Sequence, residues 1–260
     1  MNRRIIASIV VVSLWALTGA PSAAFAGGVP IDDFSDANLT GMFLTLNSAS
    51  GPDPTASAAD SGLTGVIGGA RRLTVSAQGT IPMGLVLRAK VDTTVVAGLT
   101  PGLCANSAVT NKGTFELFYD GGGVGLDADL SKFLGIVVPP AAIDNGNGAT
   151  PLSYAVTLVD TSNHSGTATG SSFESCFDGM QMCTEQRFLF SQFSAVNLRH
   201  IRSITVSLEA ENAFDAIIGP ITLFGSTETA PLLSFSMMTV LAATLGTVGL
   251  IGMWRMKQAR

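Results

Sequence analysis

The sequence predicts an all-β, antiparallel sandwich of about 200 residues, flanked by an N-terminal signal helix and a C-terminal membrane-spanning helix. Three observations carry this reading. Apolar residues alternate with polar ones at period two in many short runs, which turns one face of a strand to a core and the other to water. Gly-, Asn- and Asp-rich turns separate those runs. Part of the 47% hydrophobic content is gathered at the two ends, so residues 27–226 form one body of single-domain size.

The N-terminus reads Met-Asn-Arg-Arg, then an apolar run from Ile5 to Leu17, then Ala24-Phe25-Ala26. A basic start, a short apolar stretch and an A-x-A site make residues 1–26 a secretory signal peptide, cut between Ala26 and Gly27. The apolar run is short for a bilayer span, and Gly19 and Pro21 break it. No Cys follows it, so it is not a lipoprotein signal.

Within the body, Leu85, Leu87, Ala89 and Val91 interleave with Arg88, Lys90 and Asp92. Phe115, Leu117 and Tyr119 interleave with Thr114, Glu116 and Phe118, and Ile204, Val206 and Leu208 with Thr205, Ser207 and Glu209. Further strands are expected at Met42–Leu46, Arg72–Ala77, Tyr154–Val159, Arg187–Phe193 and Ala216–Phe224. Pro220 makes the last of these an edge or bulged strand. Ser48–Ser61, Gly121–Gly123 and Asp144–Gly148 read as loops, and Leu130–Leu134 as a short helical turn.

A polar hinge, 227–231, precedes 23 residues without a charge, Leu232–Trp254. A helix of that length crosses a bilayer. Arg255, Lys257 and Arg260 follow in the 255–260 tail, and basic residues stay on the cytoplasmic side. The body is therefore placed outside the cytoplasm. The order Pro231-Leu232-Leu233-Ser234, apolar helix, terminal basic cluster resembles the PEP-CTERM class of C-terminal sorting signals, in the variant that begins Ile-Pro-Thr-Leu-Ser. The Pro-Glu-Pro triplet itself is absent. The resemblance implies a sorting protease of exosortase type as a partner, and display at the cell surface after tail processing.

A second resemblance concerns the body. Ile31-Asp32-Asp33-Phe34, Gly65-Val66-Ile67-Gly68-Gly69, Asn197–Ile204 and a late strand carrying Asp215 loosely resemble galactose-binding-like and carbohydrate-binding jelly-roll modules over about residues 30–225. It implies a jelly-roll sandwich with a structural calcium between the first and last strands, for which Asp32 or Asp33 with Asp215 are the candidate ligands.

The chemistry of the remaining residues narrows the function. The body keeps nine basic and eighteen acidic residues, a net charge of −9, which repels phosphate backbones and argues against nucleic acid as a partner. An exported body meets an oxidising compartment, so Cys176 and Cys183 are expected to close a short loop. Cys104 is the odd thiol and an alternative partner for either. Met180 and Met182 beside those cysteines invite a soft metal, but a plain disulfide loop explains the spacing more simply. Two histidines, His164 and His200, and no G-x-S-x-G motif leave no catalytic set. Asp127 and Asp129 offer a carboxylate pair on one face of an extended segment.

Together these features predict an exported structural or adhesive protein without catalysis, membrane-anchored or surface-sorted, associated with extracellular polysaccharide. The alternative is a glycan- or calcium-binding module, whose binding face would present acids with Tyr119 or Tyr154. Both tryptophans, Trp15 and Trp254, lie in the terminal segments and supply no sugar platform. A secreted hydrolase ranks third.

Overall fold

A computed structural model describes residues 28–93, 101–107, 112–144, 151–172, 176, 183–210 and 213–226. The signal peptide with its cleavage site, the hinge, the membrane span, the basic tail, and Met180 and Met182 lie outside the described residues. Among the described residues no helix is long and apolar enough to cross a membrane.

The described body is all-β, with antiparallel pairing throughout. In chain order its strands are β1 (Val29–Asp32), β2 (Leu44–Asn47), β3 (Thr55–Ser61), β4 (Ala70–Ala77) and β5 (Val86–Asp92). There follow β6 (Gly102–Ser107), β7 (Gly113–Tyr119), β8 (Phe133–Val138), β9 (Pro140–Asp144) and β10 (Leu152–Asp160). The last are β11 (Ser165–Ser172), β12 (Gln186–Leu189), β13 (Ile201–Ala210), β14 (Phe214–Ile218) and β15 (Ile221–Ser226). They form three sheets, in the orders β1-β15-β8-β12, β11-β10-β13-β7-β4-β3 and β2-β5-β6-β14-β9. Leu73 and Val75 of β4, Leu87 and Val91 of β5, and Ile221 and Leu223 of β15 join one buried cluster, so the three sheets enclose a single sandwich core. Each such aliphatic side chain stabilises the fold by about 1.5–3 kcal/mol.

Two expectations are corrected. Ser48–Ser61 is not a continuous loop: a 3-10 turn at Ser48–Ser50 leads into β3, which pairs with β4 from Thr55 to Ser61. Its Ala/Ser composition lacks the apolar contrast that marks a strand. Ala216–Phe224 is two strands, not one. Pro220 lies between β14 and β15, and the chain changes sheets there. Neither strand is an edge, but the bulged alternative holds, since β14 shifts register against β9 between Ile217 and Ile218, just before Pro220. The expected short turn is present, with the Phe133 N–H donating to the Leu130 carbonyl at 3.1 Å, and β8 opens at Phe133.

The alternation Leu73, Val75, Ala77 on the inner face of β4 carries Arg71 inward too, where it is 1% exposed. Its Nη1 donates to both carboxylate oxygens of Asp32 at 2.8 Å. Its Nη2 donates to the Asp36 carbonyl at 2.8 Å and to the Thr40 hydroxyl at 3.0 Å. Asp32 also accepts from the Phe34 N–H at 2.9 Å and from the Tyr119 hydroxyl at 3.0 Å. Burial and the neighbouring Asp32 raise the Tyr119 phenol well above its usual range, so it serves as a donor. Asp60 of β3 accepts from the N–H groups of Asn38, Leu39 and Thr40 and from the Thr40 hydroxyl. Burial pushes the Asp60 carboxyl up, but the bonds from Thr40, Asn38 and Leu39 outweigh it and hold it below its ordinary value. The network ties segment 32–40 to β3, β4 and β7. The Thr40 carbonyl then accepts from Val91 N–H of β5 at 2.8 Å, which delivers the chain to Met42, Phe43 and β2.

Candidate functional site: a polar row across the five-stranded sheet

Side chains that alternate away from the core in β2, β5, β6, β14 and β9 meet in register on one outer face. Thr45 pairs with Arg88, Arg88 with Asn106, Asn106 with Asp215, and Asp215 with Asp144. One continuous polar row therefore crosses all five strands. A second row, Lys90, Cys104, Ile217 and Ala142, lies beside it and is more apolar. Arg88, Asn106 and Asp215 of the first row and Cys104, Ile217 and Ala142 of the second line, with Phe43, a shallow cleft of about 290 Å³.

Phe43 is 47% exposed and forms the aromatic wall. The Arg88 guanidinium stands 4.9 Å from its ring centroid, and the Lys90 ammonium 5.1 Å. Lys90 is engaged by Asp92 at 2.7 Å. Asp215 accepts a hydrogen bond from the Asn106 amide. Arg88 lines the cleft, and among the described residues no carboxylate lies within ion-pair distance of its planar guanidinium. Burial, then the charge of Asp92, pushes the Cys104 thiol above its ordinary pKa, so this cysteine is a neutral lining group.

The cleft thus joins a charged donor fork, an amide that both donates and accepts, a carboxylate acceptor and an aromatic face. Adjacent hydroxyls of a saccharide need that mixture of donors and acceptors, and the C–H face of a pyranose needs the flat apolar ring. Sequence alternation placed Arg88 and Lys90 on a solvent face, but it did not single out Phe43 or Asn106. The two tyrosines expected on a binding face are instead core residues: Tyr119 is 0% and Tyr154 1% exposed. Both fall at inward positions of their strands.

Of the other candidates, Cys104 and Asp215 line this cleft. Cys176 and Cys183 form the expected disulfide, with Cα atoms 5.4 Å apart, and Cys104 is free on the other sheet face described above. The Cys176 N–H donates to the Ile143 carbonyl of β9 at 2.8 Å, so the disulfide loop is joined to an edge of the cleft sheet. Asp33 and Asp215 stand on different elements. Asp33 closes the turn after β1 by accepting from Ser35 N–H at 2.9 Å, whereas Asp215 sits mid-row on β14. Among the described residues no group of three potential metal ligands converges. Asp127 is bonded to His200 at 3.0 Å and Asp129 to Ser131, so these two acids serve separate contacts.

His164 belongs to a turn organised by Asp160. That carboxylate accepts from the N–H groups of Ser162, His164 and Asn197 and contacts His164 Nδ1 at 3.1 Å. The bond from Asn197 N–H, opposed by burial and joined by those from His164 and Ser162, lowers its pKa to about 2. A depressed carboxylate contributes stability that is complete above its unfolded value and is lost as pH falls through the folded one. The melting temperature is therefore expected to fall between about pH 4 and about pH 2 with a slope that Asp160→Asn flattens. Differential scanning calorimetry across that range checks it, and an unchanged slope in the variant would refute the assignment.

No protein-family model and no curated sequence matches the chain. Among solved structures it is similar to the family 11 carbohydrate-binding module of the cellulase Lic26A-Cel5E of Clostridium thermocellum. That match has 14% identity and a TM-score of 0.40, covering 78% of this chain and 97% of the module. It is similar to the module TmCBM61 in complex with β-1,4-galactotriose at 11% identity and a TM-score of 0.33, covering 68% of this chain and 91% of that one. A third likeness is to the enzymatically active domain of tailspike protein 4 of bacteriophage CBA120, at 9% identity and a TM-score of 0.35. It covers 58% of this chain and 19% of that one.

Proposed function

We propose that the chain is an exported glycan-binding module of jelly-roll type, which binds without catalysis through the outer face of β2-β5-β6-β14-β9. The supporting observation is the register that aligns Thr45, Arg88, Asn106, Asp215 and Asp144 in one row beside the exposed ring of Phe43. A row of five polar positions at strand spacing, about 4.8 Å, matches an extended run of sugar hydroxyls better than a compact metabolite. The cleft carries acids as well as bases, which suits a neutral saccharide. The structural or adhesive reading then becomes a consequence of binding. A module held at the membrane by its tail, or released to the surface by an exosortase-type protease, would attach extracellular polysaccharide there.

The full-length chain on a glycan array, with and without calcium, tests this. The expected result is retention of neutral oligosaccharides regardless of calcium, because Arg88, Asn106 and Asp215 contact sugar directly. No retention in either condition would sink the proposal. Retention only with calcium would overturn direct contact of the sugar by these side chains.

A further inference from the structure

The three sheets have six edges, and five are blunted. β1 is four residues long, contains Pro30 and shifts register beside it. β2 has four residues. β12 has four and carries Arg187, which is ion-paired to Glu185 at 2.9 Å. β9 opens on Pro140 and shifts register against β14. β3 carries Asp60, a buried charge whose carboxylate accepts from the N–H groups of the 38–40 turn. Short strands, prolines, charges, bulges and covering loops are the ordinary devices against strand addition.

β11 has none of them. Its eight residues, Ser165–Ser172, contain no charge and no proline. They pair with β10 without a register shift from Val159↔Ser165 to Leu152↔Ser172. Among the described strands none pairs with its outer edge. Ser165, Thr167, Thr169 and Ser171 are exposed on the sheet's outer face, and Ala168 is buried on the inner one. The segment Ser165-Gly166-Thr167-Ala168-Thr169-Gly170-Ser171 also reads the same in both directions.

We propose that β11 is a self-association edge, which pairs antiparallel with β11 of a second copy about a twofold axis at Ala168. That register sets Thr167 against the partner's Thr169, Ser165 against the partner's Ser171, and Gly166 against the partner's Gly170. Every residue thereby meets its own kind. Thr–Thr pairs across antiparallel strands are favourable, and the same face already holds one, with the Thr157 and Thr167 hydroxyls 2.8 Å apart. Charge selects the same edge. Two bodies of net charge −9 repel each other, and β11 is the one long edge strand that adds no charge to the contact. The contact is isologous, so it closes at a dimer and does not propagate into a fibre. The six-stranded sheets of two copies then become one continuous sheet. This inference does not depend on the glycan reading.

Sedimentation velocity of the full-length chain in mild detergent tests it. The wild type is expected to dimerise. In Thr167→Glu/Thr169→Glu, two like-charge pairs face each other and weaken association about tenfold. Thr167→Lys/Thr169→Lys behaves alike alone, and an equal mixture of the two variants restores a dimer. A dimer indifferent to the glutamates, or a mixture that stays monomeric, overturns the register. A wild type that is monomeric throughout leaves the edge to some other extended strand and overturns the proposal.

Discussion

Arg71→Met is expected to destabilise the body by about 3–5 kcal/mol, the largest effect of any single substitution considered for stability. The size follows from what remains behind. Asp32, whose side chain is fully buried, would keep the Phe34 N–H and the Tyr119 hydroxyl but lose its only cation among the described residues. The Asp36 carbonyl and the Thr40 hydroxyl would lose donors in the same step. For a domain of about 200 residues the loss corresponds to a melting temperature lower by roughly 6–20 °C. Arg71→Lys separates charge from geometry. A single ammonium cannot reach both Asp32 oxygens, Asp36 and Thr40 at once, so an intermediate loss is expected. Thermal melts of both variants decide the matter. If lysine restores wild-type stability, the planar fork is not what holds segment 32–40. The network also bears on binding, because Thr40 anchors to β5 only three residues before Phe43.

Where hydrophobic contrast is strong, the fold was legible in the sequence. Phe115, Leu117 and Tyr119 were expected on one face of a strand, and all three are buried in β7. β3, β6 and β11 were not legible, since TASAADS, GLCANS and SGTATGSS offer small residues on both faces. Their strand state comes from pairing partners distant in sequence, which local pattern does not encode. Arg71 could have been found by extending the Leu73, Val75, Ala77 period one step backwards. The cleft illustrates the same division. Arg88 and Lys90 were read correctly as outward-facing. Their alignment with Asn106 and Asp215 depends on the register of strands up to 127 residues apart in the chain, between Arg88 and Asp215. The disulfide was legible because seven residues of separation and an oxidising address are local facts.

Arg88→Ala is expected to weaken glycan binding by about 10–150-fold, as loss of hydrogen bonds from a charged donor costs about 1.5–3 kcal/mol. Phe43→Ala should approach that effect by a second route. It removes the ring on which a sugar face would rest and the surface that orients both Arg88 and Lys90. Asp215→Ala should cost less, since Asn106 remains, but its amide would lose the acceptor that now fixes it. Arg88 and Asp215 are exposed, so their removal should change stability by no more than about 0.5 kcal/mol, whereas Phe43→Ala also loses the packing of a half-buried ring. Isothermal titration with whichever neutral oligosaccharide the array retains, paired with thermal melts, distinguishes lost contacts from lost folding. Because Arg88 and Phe43 share one contact, the double variant should lose less than the sum of the single losses. Full additivity would mean that the ring and the guanidinium act as separate contacts, and unchanged affinity in Arg88→Ala would remove the five-stranded face as the binding site.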